Sequence, residues 1–587
     1  MTRKNRTPEE NARREKIREL LQMTNIGSMD DIQNLFKETI AEFIENGLEA
    51  ELDDELGYSK YDYRSKNTDN SRNGHSSKTL RTSFGDVEVS VPRDRKGEFD
   101  PQIDVYKRQT LGSTGASVMS SFDDNLAMQE LQKRTGVDLE FIHPAVGQET
   151  EQFNLLIASR ELPDIIEYSW NTYAGGIQKA IDDGIIIKLN DILDEQAPYY
   201  AKMLEDYPEL ARQAKTDDGT ICVFGAYSIS DYNCQSGYMI RQDWLDEAGL
   251  EQPVTIQDWE DTMLALIDAR GLTCGLAMSA DNIMGDMVVG AWRIGSTYYV
   301  DEGIVKYGPS QDAYLDYLTT MKRWYDLGII DADAAAMDAN TMEQYMIDGE
   351  AAACFGAAGG NMGNIYTAVE ARDQEINLVG VQYPVLNEGE EPYLINFSWE
   401  YRGSGSAAIT TACERTDLAC KVLDYFYSDE GRILKSYGVE GVTFEYVDGV
   451  PTYSDIIVHN PDGLSMSQAL YYYVRANYPC VGFIETGYHE QYFARDVQKE
   501  AVKLWNTYID NSRDVKLPMV SLTTEESLEM ATMTSLIDDY RKEMVVKFIM
   551  GQEPLENFPA FVAELNELGV NRALEIYQAA YERYLAR

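Results

Sequence analysis

The sequence predicts an α/β protein of more than one domain, preceded by a small, mostly helical N-terminal segment. Three observations carry this. The chain has 587 residues, too many for one hydrophobic core. Residues 153–170 read FNLLIASRELPDIIEYSW, a helix, a break and a strand in succession. Charge is divided unevenly: residues 1–108 hold 19 Lys and Arg against 22 Asp and Glu, and the remainder holds 32 against 77. A composition step of that size marks a boundary.

The totals narrow the function classes. A net charge of −48 argues against nucleic acid or an anionic membrane surface as partner for the bulk of the chain. No run of 18 apolar residues is present, so no transmembrane helix is expected. Met1–Arg18 is polar and basic without an apolar core, so no secretory signal peptide is expected either. The cysteines at 222, 234, 274, 354, 413, 420 and 480 form no C-x-x-C pair and read as buried free thiols. His75, His143, His459 and His489 stand far apart, which lowers the odds of histidine-based metal or nucleophilic chemistry. No cofactor and no metal are expected.

In the first segment, Ile32, Leu35, Phe36, Ile40, Phe43 and Ile44 keep a 3.6-residue period, with Gly47 as the stop. Gly57–Lys78 is rich in Asn, Ser, Lys and Arg and reads as loop. Thr79–Val91 alternates as a strand pair turning about Gly85-Asp86. The stretch Asp31–Gln102 closely resembles the amino-terminal part of mutator-type insertion-sequence transposases. The resemblance implies a DNA-binding fragment spanning residues 1–103. Its phosphate contacts would come from Arg64, Lys66, Arg72, Lys78, Arg81, Arg93, Arg95 and Lys96. That family's three catalytic carboxylates lie downstream of this region, where the present sequence is unrelated, so no catalytic residue is carried over.

The junction, Asp104–Gln109, reads DVYKRQ and fits neither flanking segment. It resembles a translated sequencing-adapter remnant, which implies an artificial fusion; a genuine fusion through a flexible joint is the alternative. The junction is expected to span 104–110, and a strand expected before Leu111 to have been lost there.

Beyond the junction, Asp123–Thr135 is helical and Val137–Ile142 alternates as a strand. Phe153, Leu156 and Ile157 form an apolar helical stripe, and Pro163 forces the break, because proline disfavours helical geometry in the residue before it. Asp164–Ile166 then reads as a buried strand, with Tyr168 and Trp170 as an exposed pair at its end. Gly175–Leu189 gives a helix and an extended run. Gly219–Phe224 and Tyr238–Ile240 read as strands. Gly249 closes a helix, and Thr255 caps the next with Asp258 as its capping-box partner. Ile347–Phe355 and Asn377–Pro384 read as strands, Ala407–Gly441 as strand, turn and helix, and Lys547–Tyr584 as a helical pair.

ASRELPDII (158–166) resembles a signature of extracellular solute-binding proteins, the receptors of ABC importers. YMIRQDWLDEAGLEQPVTIQDWEDTMLAL (238–266) resembles a second signature of that family, in the right order. The resemblance covers residues 111–587 and implies a two-lobed periplasmic-binding-protein-like (type II) α/β fold with a hinge. The first lobe would comprise 111–232 and 396–460, the second 235–390 and 465–587. Crossovers would lie near Tyr227–Tyr238, near Tyr383–Asn396 and at 455–470. The implied function is a non-enzymatic receptor that delivers an oligosaccharide to ABC permease subunits. It would act as a monomer, natively outside the cell or as a surface lipoprotein; the chain as written, without a signal peptide, would stay cytoplasmic. Two alternatives remain: the transposase-derived DNA-binding fragment, defined by residues 1–103, and a secreted carbohydrate-active enzyme, which needs a carboxylate pair about 5–10 Å apart.

Sugar recognition calls for aromatic faces and paired donors and acceptors. Expected strand-end loops supply Trp170, Tyr173, Tyr227, Trp292, Arg293, Asn361, Asn364, Glu485 and Tyr488, together with the cluster Trp399, Glu400, Tyr401 and Arg402. Trp244, Trp259, Trp324 and Trp505 sit on helical faces and read as core. GAAGGNMGN (356–364) lacks both nucleotide-binding glycine patterns and reads as a loop of close approach. Asp326–Asp338 lacks the calcium-loop pattern and reads as a solvated acidic face.

Overall fold

The computed structural model describes the backbone of residues 72–82, 85–94 and 103–107. From 118 to 587 it describes backbone and side chains, except for 145–147, 229–231, 394–396, 399–400 and 477–479 and the side chains of 402–404. The chain forms two units, 1–102 and 103–587.

In the first unit, β1 (Arg72–Thr82) and β2 (Gly85–Asp94) pair antiparallel. Thr82 faces Gly85 across the ladder, so Gly85-Asp86 lies in a strand and not in the turn. Residues 72–78, expected as loop, are strand as well: a paired partner overrides the weak β-propensity of Asn, Ser and Lys. The helix expected from Ile32 to its stop at Gly47 lies outside the described residues, as do the side chains of Arg64, Lys66, Arg72, Lys78, Arg81, Arg93, Arg95 and Lys96.

The second unit is built on two sheets. Its strands are β3 (Ile103–Lys107), β4 (Leu139–Ile142), β5 (Ile165–Glu167), β6 (Phe224–Ser228), β7 (Ser236–Arg241), β8 (Cys274–Ala277), β9 (Tyr298–Asp301) and β10 (Ile304–Tyr307). There follow β11 (Ala351–Ala357), β12 (Leu378–Val381), β13 (Tyr401–Ile409), β14 (Phe444–Val447), β15 (Val450–Tyr453) and β16 (Gly482–Ile484). The first lobe holds the order β16-β6-β13-β5-β3-β4 and the second β12-β7-β11-β8. Each sheet has one strand running against its neighbours on both sides, β13 in the first and β7 in the second. Each of these strands follows a crossover from the other lobe.

Two strands depart from the expected lobe spans. β3 comes from the junction itself and pairs parallel with both β4 and β5, from Ile103↔Leu139 to Lys107↔Glu167. The strand expected to be lost is therefore supplied by Ile103–Lys107. A slot between two strands presents unpaired N–H and C=O groups on both sides, and IDVYK, with β-branched Ile103 and Val105 and aromatic Tyr106, suits it. β16 lies inside the span expected for the second lobe but pairs with β6 in the first. The third crossover is thus displaced from 455–470 to between Ile484 and Asp496. The strand expected at Gly219–Phe224 begins only at Phe224.

The second-lobe core is packed by the tryptophans assigned to it from helical spacing: Trp244, Trp259, Trp324 and Trp505 are all buried. Trp505 donates its Nε1–H to the Val381 carbonyl at 3.0 Å. The helix Asp496–Asn506 lies close against β7 because Gly237 has no side chain; a Cβ there would stand 2.2 Å from Trp505 Cε2. Thr255 and Asp258 form the expected capping box, and Gly249 adopts φ +67° at its helix end. The seven cysteines are free, and all but Cys413 are buried. Among the described residues no helix is long and apolar enough to cross a membrane.

Candidate ligand cavity

After β5 the chain turns through Trp170–Thr172 and reaches Gly175 and Gly176, at φ +93° and +76°, before the helix Gly176–Asp182. A Cβ on Gly176 would stand 2.6 Å from Ser527 Oγ, so the glycine is what lets this first-lobe loop approach the helix Thr524–Ile549. That helix starts at a Thr523–Glu526 capping box. Its residues Ser527, Met530, Ala531, Thr534 and Ser535 recur at helical spacing and form one wall of a cavity of about 770 Å³. The facing walls are Asn171–Ile177 from the first lobe, Asp286 and Thr297–Tyr299 from the second, residues 516–522, and Tyr577. The volume is that of a pocket for a small ligand.

The lining is aromatic and hydroxylic. Tyr298 and Tyr577 bring their rings to 4.5 Å between centroids, tilted by 50°. Tyr173 donates its hydroxyl to Asp183 Oδ2 at 3.0 Å. Burial pushes the Tyr173 and Tyr299 hydroxyls up to about 12 and raises those of Tyr298 and Tyr577, so all four stay protonated donors at neutral pH. Ser527 Oγ is buried and has no hydrogen-bond partner among the described residues. Asp286 accepts the Ser296 N–H at 2.8 Å on Oδ1. Lys516 donates to the Phe397 carbonyl and lies 4.6 Å over that ring. No group of three or more His, Cys, Asp or Glu that could hold a metal occurs among the described residues.

Of the residues picked from the sequence, Tyr173 lines this cavity. Trp170 is 1% exposed and donates its Nε1–H to the Ile166 carbonyl at 3.1 Å. Tyr168 is buried as well; Phe153 from the preceding helix stacks on it at 3.5 Å and meets Trp170 edge-on, so the expected platform is core. Tyr227 and Tyr401 pack on each other inside the first lobe, and Tyr227 shares a 3.0 Å hydroxyl contact with Tyr200. Trp292 packs edge-on against Tyr317, while Arg293 is exposed over the Tyr393 ring. Tyr488 is buried beside His489 and Tyr492. Glu485 pairs with Arg432 at 2.6 Å. Asn361 and Asn364 donate to the Glu343 carboxylate, whose pKa burial raises. Their loop is one of close approach, as read: a Cβ on Gly359 would stand 1.9 Å from the Tyr492 ring. Trp399, Glu400 and the Arg402 side chain lie outside the described residues.

Residues 115–433, more than half of the chain, match the bacterial extracellular solute-binding protein family. The chain belongs to that family. It is similar to lipoprotein LipO of Bacillus subtilis, at 26% identity over 57% of this chain and 66% of that protein. It is also similar to the polygalacturonan/rhamnogalacturonan-binding protein YtcQ of the same organism, at 23% over 54% and 63%. The fructooligosaccharide ABC transporter substrate-binding protein FusA of Streptococcus pneumoniae is 27% identical over 39% and 46%. The chain thus spans about half to two thirds of these relatives. Among solved structures, the alginate-binding protein AlgQ2 aligns with a TM-score of 0.70 at 21% identity, over 82% of this chain and 98% of that one. S. pneumoniae FusA in complex with kestose gives 0.66 at 18%, over 83% and 100%. These likenesses establish the two-lobed solute-binding fold.

Residues 11–135 match a second family, Transposase, Mutator family, overlapping the first match over 115–135. The transposase for insertion sequence element IS905 of Lactococcus lactis is 38% identical over 78 residues, 13% of this chain and 20% of that protein.

Proposed function

We propose that the second unit is the receptor of an ABC importer, that its cargo is an oligosaccharide, and that it binds and releases this cargo unchanged. The observation that carries the reading is the cavity of about 770 Å³ walled by both lobes, with tyrosine rings for the C–H faces of a sugar and serine and threonine hydroxyls for its rim. A ligand touching both walls binds the closed arrangement better than the open one, and that difference drives hinge closure. Family membership and the printed names of FusA and YtcQ support a glycan cargo. Permease subunits are the partners such a receptor requires, its place is outside the cell or lipid-anchored at its surface, and it acts as a monomer.

A separate reading covers residues 1–103, because a transposase family matches from residue 11 onward. We take the segment to be a DNA-binding fragment whose catalytic region is missing. Strand transfer dependent on a divalent metal would overturn that.

The receptor reading is tested by thermal unfolding of the full chain against a panel of oligosaccharides, with tryptophan fluorescence followed in parallel. A ligand at about 100 times its Kd stabilises by about 2.7 kcal/mol and raises the melting temperature by several degrees. The glycan should be recovered intact by chromatography. A cooperative melt that no oligosaccharide shifts would sink the reading; a consumed glycan would make the protein an enzyme.

A further inference from the structure

We propose that the cavity selects uncharged glycans over glycans bearing uronic acids, and that Asp286 is the residue that decides between them. This rests on the receptor reading and adds the charge class of the cargo. Asp286 opens the short helix Asp286–Val289 and stands half-buried in the cavity wall. The Ser296 N–H at 2.8 Å holds one of its oxygens and fixes the orientation of the carboxylate. An ionised carboxylate only accepts hydrogen bonds, and it keeps lone pairs for two sugar hydroxyls. Hydroxyl donors satisfy it; a second carboxylate brought beside it is repelled, and more strongly in a cavity than in open water.

The cations nearby do not cancel this preference. Lys516 also lines the cavity, but its ammonium is turned to the Phe397 carbonyl and rests over the Phe397 ring. Arg541, further along the helix Thr524–Ile549, is 6% exposed and stands 3.8 Å from the Asp538 carboxylate. Its charge reaches the hydroxyls of Tyr298, Tyr307 and Tyr314, the last of which Asp286 reaches too, and Arg541 itself is not part of the cavity wall. Besides Lys516, a ligand meets in the described wall tyrosine rings, hydroxyls such as Ser527, the Asn171 amide, apolar side chains such as Met519 and Met530, and Asp286 as the one carboxylate. At longer range, the excess of 77 acidic over 32 basic residues beyond residue 108 repels polyanions, and salt screens that part of the effect. The two contributions are therefore separable.

The test is calorimetric titration of the full chain with two sets of glycans of matched length. One set is uncharged (malto-, xylo-, manno- and fructo-oligosaccharides), the other acidic (oligogalacturonate and oligomannuronate), each at low and high salt. At least one uncharged glycan should bind, and the acidic ones at least about tenfold more weakly, a gap that high salt narrows but does not close. Asp286→Asn retains an oxygen acceptor for the Ser296 N–H. It should weaken the uncharged glycan by about tenfold, the scale of one charge-assisted hydrogen bond, and shrink the gap to the acidic set, with the melting temperature unchanged. An oligogalacturonate that binds wild-type protein as tightly as any uncharged glycan overturns the proposal and leaves the receptor reading standing. Unchanged affinity in Asp286→Asn removes that residue from the site and overturns the proposal as well. Binding by neither set overturns the receptor reading itself.

Discussion

Asp424 caps a helix that is not its own. It is 4% exposed and accepts the backbone N–H groups of Tyr199 and Tyr200 at 3.3 and 2.7 Å, at the start of the helix Pro198–Asp206. Burial outweighs these bonds and raises its pKa from 3.8 to about 6. The folded value exceeds the unfolded one, so the folded chain binds this proton more tightly. The stability it confers is complete below the unfolded value and is lost as pH rises through about 6, the reverse of a salt-bridged aspartate. The amount is on the order of 2–3 kcal/mol. Asp424→Asn keeps an acceptor and removes the ionisation, so urea unfolding of the variant should lose the downward slope between about 4 and 6. A slope as steep as that of wild type would refute this assignment. Whether a residue is core or site was legible only where spacing fixed its surroundings. The four helical tryptophans followed from periodicity. Trp170 and Tyr227 did not, because a strand end shows where an aromatic stands and not which ring from another segment, such as Phe153 or Tyr200, covers it.

At the scale of elements, β3 shows what a short segment does in a sheet. Its five residues complete parallel ladders on both sides, so removing them separates β4 from β5 and strips hydrogen bonds from each. A chain beginning at Ile103 is expected to melt cooperatively and close to the full chain. One beginning at Leu111 should lose the cooperative transition of the first lobe or melt far lower. Equal melting of the two by circular dichroism would show that β3 contributes nothing. The strands at Ile165, Met239, Ala353 and Val379 were readable from the sequence, being apolar runs between helical patterns. β3 was hidden because its residues belong to neither flanking pattern, and β16 because three residues carry no periodicity. The cavity was hidden for a related reason. Asp286, Tyr298, the 516–535 segment and Tyr577 come from separate parts of the chain and meet only once both lobes are folded.

At the scale of the whole second unit, the C-terminal helix Val570–Ala586 ties the lobes together. On one side Tyr577 packs on Tyr298, and Gln578 accepts the Val305 N–H at 2.8 Å, both on the β9–β10 hairpin of the second lobe. On the other side Arg583 and Arg587 converge on Asp217, with Nε–Oδ distances of 2.6 and 3.0 Å. Asp217 lies just beyond the helix Pro208–Ala214, which is packed into the first-lobe core. Arg583 also holds Glu526, and Arg587 donates to the Lys215 carbonyl at 2.7 Å. An opening that carried the Asp217 loop away from the β9–β10 hairpin would break these bonds, so we expect them to act as a latch on the arrangement in which both lobes wall the cavity. All three side chains are partly exposed, which limits the latch to about 1–2 kcal/mol. Asp217→Asn should therefore shift the balance toward the open form by roughly tenfold and weaken ligand by up to the same factor, in full where the open form predominates without ligand and by less where the closed form does, because only the closed state engages both walls. High salt should imitate the substitution in wild type and have little further effect on the variant. Small-angle scattering of the ligand-free protein, read beside the affinity for whichever glycan binds, checks both consequences. A variant with wild-type dimensions and wild-type affinity would mean that Asp217, Arg583 and Arg587 hold the C-terminal helix in place without biasing the hinge.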